Sequence, residues 1–194
     1  MKRNIVIFDL GNVLVRYDWE TFLSSFQFDE TTYQAMANAI FLSDVWQQGD
    51  AGLPPEEKLR LHMKEAPGYE NEIRMVYEKL GGCITKYEYT DRLIQFFREK
   101  GYRIYYLSNY SEDLYYKTKE ELSFIETFDG GVFSYIEKCI KPDKKIYQIL
   151  LERYGIIPEQ ALFLDDREEN IKAARELGIQ GEVFTEELLN KILG

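Results

Sequence analysis

The apolar run Ile5-Val6-Ile7-Phe8 ends in a single acid, Asp9, and then breaks into the turn Leu10-Gly11-Asn12-Val13-Leu14. A short β-branched run bounded by a glycine turn reads as a fully buried strand. Its carboxyl end is where open α/β sheets gather their chemistry, so a carboxylate there is positioned to act as nucleophile, metal ligand or both. Taken alone, Asp9 reads equally well as the cap of a turn. Three later stretches weigh against that: Leu107-Ser108-Asn109 closes a second apolar run, Phe163-Leu164-Asp165-Asp166 closes a third, and the pair Lys141-Pro142 lies between them.

Along the whole chain, short β-branched runs alternate with helix-period segments, which is the pattern of βαβ units and a parallel sheet. Strands are expected over residues 4–8, 103–107, 131–133, 161–164 and 181–184. Helices are expected over 89–100, 143–154 and 169–177, each stopped by a glycine (Gly101, Gly155, Gly178), and another begins near Glu112. Residues 16–87 break the alternation. They carry helical periods over 19–26, 31–42, 55–64 and 69–79, with turns at Gln48-Gly49-Asp50 and Ala66-Pro67-Gly68, and no strand. The expectation is an α/β chain whose core is built from residues 1–15 and 88–194, with an all-helical insertion, 16–87, after the first strand.

Charge and cysteine content narrow the partners. With 34 acidic against 24 basic residues the net charge is −10, which repels nucleic acid and anionic membranes, so neither is expected as a partner. A chain of 194 residues suffices for one good core plus a small insertion. Cys83 and Cys139 stand far apart without a C-x-x-C or Cys/His ligand spacing, which speaks against a disulfide framework or a zinc site and for a reducing, cytoplasmic setting. The start Met1-Lys2-Arg3 is basic, but the apolar run behind it is too short for a signal peptide.

Asp9, Ser108-Asn109, Lys141-Pro142 and Asp165-Asp166, in this order, resemble the haloacid dehalogenase-like hydrolase superfamily, most closely its small-capped phosphatases. The resemblance implies a Rossmann-like parallel sheet core, with residues 16–87 as a small helical cap. It also implies a Mg²⁺-dependent phosphatase acting on a small phosphorylated metabolite, a sugar phosphate, through an aspartyl-phosphate on Asp9; such an intermediate splits one difficult displacement into two easier ones. The metal set it implies is the Asp9 and Asp166 carboxylates and the Gly11 carbonyl, with Asp165 as a further ligand or, like Asn170, an orienting partner. Ser108 and Asn109, before a helix start, form an anion site. In the family the lysine corresponding to Lys141 neutralises charge on the nucleophile and the transferring phosphoryl group.

Each feature also has a plainer reading. Asp165-Asp166 and Ser108-Asn109 suit helix caps, and a lone lysine is usually a solvated charge. The aromatic residues Trp19, Phe22, Tyr33, Phe41 and Trp46 recur at helical spacings and read mostly as core; Trp19 and Phe22, nearest the turn after Asp9, are the candidates for a substrate mouth. His62 is the single histidine and, with no second nitrogen ligand, reads as structural. The tyrosines at 105, 106, 110, 115 and 116 have no mechanistic reading in the sequence.

The chain departs from the family pattern at one position. Where the family keeps a second aspartate two residues after the first, this sequence has Gly11, and the proton transfer that the aspartate performs is worth roughly 10² to 10⁴-fold. Asp18 is a possible substitute, set against a solvated surface charge. A similar Asp-Leu-Gly-Asn-Val stretch occurs in bacterial sugar-phosphate phosphatases of the family, of the α-D-glucose 1-phosphate type. Two other functions stand beside the phosphatase: a haloacid dehalogenase using Asp9 without metal, whose family members carry tyrosine where Gly11 stands, and a weakly active phosphate-binding regulatory protein. Without an acid at Gly11, leaving groups that depart with little proton help are favoured, which points to an aldose 1-phosphate. A monomer or weak homodimer is expected.

Overall fold

The structure is a computed structural model describing residues 4–194; the basic start Met1-Lys2-Arg3 lies outside them. The chain runs β1 (Ile5–Phe8), β2 (Val15–Tyr17), α1 (Trp19–Ser24), α2 (Glu30–Met36), a π-helical turn (Ala37–Phe41), α3 (Asp44–Asp50), α4 (Pro55–Glu65), α5 (Glu70–Glu78) and β3 (Ile84–Lys86). It continues through α6 (Thr90–Glu99), β4 (Arg103–Ser108), α7 (Glu112–Lys117), β5 (Gly130–Phe133), α8 (Ser134–Glu137), α9 (Lys144–Tyr154), β6 (Ala161–Asp165), α10 (Glu168–Arg175), β7 (Gln180–Val183) and α11 (Glu186–Leu193).

Because successive strand residues face opposite sides, β1 feeds two cores at once. Ile5 and Ile7 join Tyr105, Leu107, Phe163 and the apolar sides of α9 and α10, while Val6 and Phe8 join Ile104, Leu164, Leu93 and Phe97 on the other side. A strand covered on both faces needs apolar residues at every position, which is why the run is unbroken until Asp9. The main sheet has five strands in the order β5-β4-β1-β6-β7, all parallel. Phe8 is level with Tyr106 on β4 and Leu164 on β6, so the carboxyl ends of the three central strands lie side by side. Strand order reverses across β1, and that is where such a sheet opens a crevice.

The stretch expected to hold no strand is closed by one antiparallel pair, β2 with β3, in the register Val15↔Lys86, Arg16↔Thr85 and Tyr17↔Ile84. Strands of three residues are too short for a two-residue period to stand out, which is why the pattern hid them. The expected turn at Gln48-Gly49-Asp50 is helical, forming the end of α3. Gly49 permits it: a Cβ there would lie 2.8 Å from the Lys58 side chain, which crosses at that point. The helix expected over 31–42 is split into α2 and the π-helical turn.

Lys58 itself is fully buried. Its ammonium donates to Ser111 Oγ at 3.0 Å and to both Asp113 oxygens at 3.1 Å, and sits 4.4 Å above the Trp46 ring, tying α4 to α7. The tyrosines also find a use: a Cβ on Gly131 would lie 2.2 Å from the Tyr106 ring, so this ring occupies the space a side chain on β5 would have taken.

His62 on α4 is likewise buried, facing the Ala39 carbonyl and Ser43 Oγ through Nδ1, while Nε2 has no partner among the described residues. Burial pushes the imidazole down to about 4. Below pH 6.5 the unfolded chain therefore takes up a proton that the folded site refuses until about 4. Stability carried by neutral His62 is present above pH 6.5 and drains away across that window, by up to about 3 kcal/mol. Urea unfolding at pH 7.5 and 4.5 should thus show a smaller loss in His62→Gln than in the wild type; equal losses would mean that the imidazole charges freely in the fold.

Candidate active site

Asp9 leaves the end of β1 with its backbone N–H donating to Leu164 O at 2.8 Å, which fixes its direction. Its carboxylate accepts from Leu10 N at 2.7 Å and from Lys141 Nζ at 2.9 Å. The same ammonium donates to Asp165 Oδ2 at 2.7 Å, so Lys141, itself buried, bridges the ends of β1 and β6. Burial works against the Lys141 charge, but Asp165 and Asp9 outweigh it and hold the ammonium above its ordinary pKa. Burial pushes Asp9 the other way, up to about 7, with Lys141 opposing the rise and Asp165 adding to it.

The lysine is held by its backbone. Asn109, one residue past β4, accepts from Lys141 N at 2.8 Å and donates to Lys141 O at 3.0 Å. Asn109, expected at an anion site, lines the cavity and also bonds the Lys141 main chain through both ends of its amide. Ser108 is 1% exposed, ends β4, and is not among the residues lining the cavity.

The adjacent acids differ in what remains free. Asp165 is wholly buried and saturated, accepting from Lys141, from Asn170 Nδ2 at 2.9 and 3.1 Å and from Arg167 N at 2.9 Å. Asp166 faces the cavity and, among the described residues, accepts only from Asn12 Nδ2 at 3.2 Å. Burial raises its carboxyl, with Asn12 opposing. Asn12 reaches it from a left-handed backbone conformation (φ 56°), which asparagine tolerates well, while its Oδ1 accepts from Tyr17 N at 3.2 Å. Asp9, Asp165 and Asp166 each offer an oxygen within 4.8 Å of the others. Nearby, Asn170 Oδ1 is buried without a partner among the described residues. An all-oxygen set with a spare acceptor for a metal-held water suits a hard cation such as Mg²⁺.

These groups open into a cavity of about 320 Å³. One wall is a run of rings: Trp19 stacks on Phe41 (5.1 Å), Phe41 meets Trp46 (5.2 Å), and Trp46 stacks on Tyr17 (5.9 Å). Trp19 therefore stands at the mouth, whereas Phe22 does not. It is buried edge-on against Phe26 and Phe41, because one turn further along α1 points beneath the wall. Asp18, the possible substitute acid, caps α1 by accepting from Thr21 N at 3.0 Å and does not line the cavity.

A family model for haloacid dehalogenase-like hydrolases matches residues 4–178. The chain belongs to this family. It is similar to a sesquiterpene phosphatase of Aspergillus oryzae, with 24% identity over 183 residues covering 94% of this chain and 90% of that protein. Over 53 residues it is 38% identical to a phosphorylated carbohydrates phosphatase of Thermotoga maritima, covering 27% of this chain and 24% of that protein. Among solved structures, a family enzyme of Bacteroides thetaiotaomicron in complex with magnesium and inorganic phosphate superposes with a TM-score of 0.78 at 23% identity, covering 94% of each chain.

As a member of this family the protein is a hydrolase, with its acids, lysine and cavity at the carboxyl edge of the sheet. Reading the sequence missed Asn12, Tyr17 and Trp46 as lining residues, together with Asp50, Tyr110 and Arg167. Three of these carried a signal: Asn12 in the turn directly after Asp9, Arg167 directly after Asp166, and Trp46 in the aromatic series that read mostly as core. Replacing Asn109 by Leu removes both bonds to the Lys141 main chain, and should cost about 1–3 kcal/mol in urea unfolding and lower kcat more than it raises KM. A drop confined to KM would show that Asn109 holds substrate rather than the lysine.

Proposed function

We propose that the protein is a Mg²⁺-dependent phosphatase of a small phosphorylated metabolite, a sugar phosphate, working through an aspartyl-phosphate on Asp9, with helices α1 to α5 as its cap. The observation that carries this reading is the convergence of Asp9, Asp165 and Asp166, with Lys141 bonded to two of them. A dehalogenase that works without metal has no use for Asp166. The phosphatase relatives, and the magnesium and phosphate held by the Bacteroides enzyme, point the same way.

In this reading Asp9, aimed by its bonds to Leu10 N and Lys141, attacks the phosphorus in line as the bond to the leaving oxygen breaks and the alcohol departs; water then cleaves the aspartyl-phosphate, releasing inorganic phosphate and restoring the carboxylate. The Lys141 ammonium neutralises charge on the nucleophile and then on the phosphoryl oxygens, which is where such a reaction needs it. Asp165, saturated by its own donors, holds Lys141 and Asn170 in position. Bound among Asp9, Asp166 and the Gly11 carbonyl, Mg²⁺ would supply further neutralisation of the phosphoryl oxygens. Trp19 and its neighbouring rings exclude water from the bound ester.

Gly11 shapes the choice of substrate. No acid stands two residues after Asp9, so esters whose oxygen leaves with little proton help are favoured, and an aldose 1-phosphate fits this better than a 6-phosphate. A panel of phosphorylated metabolites assayed with Mg²⁺ and with a chelator tests the whole reading. Hydrolysis should require Mg²⁺ and disappear in Asp9→Asn; Mg²⁺-independent turnover, or a fully active Asp9→Asn, would overturn it. Asp166→Ala should raise the Mg²⁺ requirement steeply, and an unchanged requirement would move the ligand role to Asp165.

A Cβ at Gly11 meets no atom within 4 Å, so Gly11→Asp starts without a clash at its first side-chain atom. This variant should speed a sugar 6-phosphate relative to the 1-phosphate by up to roughly 10²-fold in kcat/KM. An unmoved ratio in an active variant would refute the leaving-group argument.

A further inference from the structure

We propose that Asp50 is the specificity-determining residue of this cavity, reading hydroxyl groups on the organic part of the substrate. Asp50 is the last residue of α3 and lines the same cavity as Asp9 and Lys141. Its position is fixed through its backbone, since Ser134 Oγ donates to Asp50 O at 2.6 Å. Its carboxyl, by contrast, has no hydrogen bond or ion pair among the described residues. The nearby cation Lys58 does not serve it, being committed to Ser111 and Asp113.

Asp50 is half-buried, so its carboxyl is reached from the cavity while keeping little of its water, and a ligand that offers hydroxyls would replace what it has lost. Burial pushes Asp50 up to about 7, with Lys58 opposing and Asp113 adding to the rise. Near neutrality it therefore offers a donor and an acceptor in its acid form, or two acceptors when ionised.

Asp50 stands outside the acid cluster, although it still feels the Lys141 charge across the cavity. The three acids that cluster within 4.8 Å do not include Asp50, so a phosphoryl group seated on Asp9 and Lys141 leaves the rest of the substrate to meet Asp50. Beside it stands the ring wall of Trp46 and Tyr17, stacked at 5.9 Å. A cyclic polyol matches this pairing, because its C–H faces lie flat on rings while its rim of hydroxyls reaches a carboxyl. An aryl or isoprenyl group matches only the wall.

This inference rests on the phosphatase reading, and the experiment keeps the two apart. The full chain with Mg²⁺ is assayed on an α-hexose 1-phosphate and on phenyl phosphate, in the wild type, Asp50→Leu and Asp50→Asn. The ratio of kcat/KM, hexose phosphate over phenyl phosphate, should fall roughly 10 to 100-fold in Asp50→Leu and less in Asp50→Asn, whose amide still bonds hydroxyls. Removing hydroxyls one at a time with deoxy-hexose phosphates should erase the difference between wild type and Asp50→Leu at the hydroxyl being read. A ratio that stays put in a folded variant, or an equal loss on both esters, overturns the role of Asp50 while leaving the phosphatase reading intact. Absence of Mg²⁺-dependent hydrolysis of either ester by the wild type overturns both. If Asp50→Leu does not fold, the ratio in Asp50→Asn decides alone: a fall supports the role and an unmoved ratio overturns it.

Discussion

Three carboxylates within 4.8 Å of one another, two of them sharing one buried lysine, form the arrangement around which the site is organised. Two like charges 4 Å apart repel by about 1 kcal/mol in water and by about 4 kcal/mol at an effective dielectric of 20. No local preference of the chain assembles such a group. The parallel pairing of β1 with β4 and β6 does, because it brings the three strand ends level and leaves their loops nowhere else to go. Lys141 then offsets part of the repulsion, and the amide of Asn109 keeps it from swinging away. Stability supplied by two apolar cores is thus converted into a strained concentration of negative charge, ready to accept a cation.

Saturation divides labour between neighbours that look alike in sequence. Asp165 and Asp166 are adjacent acids after one strand, yet the first is wholly buried with three donor groups and the second faces the cavity with one. Asp165 is the last residue of β6, while Asp166 lies just beyond the strand, where the chain bends. Asp165 leaves β6 toward the lysine, and Asp166, the next residue, turns outward.

Much of the core was legible because a buried parallel strand has a plain signature, and the acids were legible because they end such strands. The two short strands β2 and β3 were hidden by length, and the end of α3 was disguised by Gly49, which reads as a turn unless Lys58 is known to cross it. Lys58 could not be recognised as buried, because a lysine on an amphipathic helix normally lies in water and its partner Asp113 is 55 residues away. Asp50 was masked with it, counted as the close of that turn. Phe22 failed for a subtler reason: it shares a helix face with Trp19, but helical spacing does not say which of two residues on one face is covered by the next layer.

The buried pair of Lys58 and Asp113 also decides how α4 is seated on α7. Removing the lysine's ammonium while the helices stay packed would leave Asp113 buried without its cation, a cost of about 3–5 kcal/mol. Parting the helices instead returns both groups to water, so the pair sets the register of the contact more than its strength. Because the pair is shielded from solvent, added salt does little to change it.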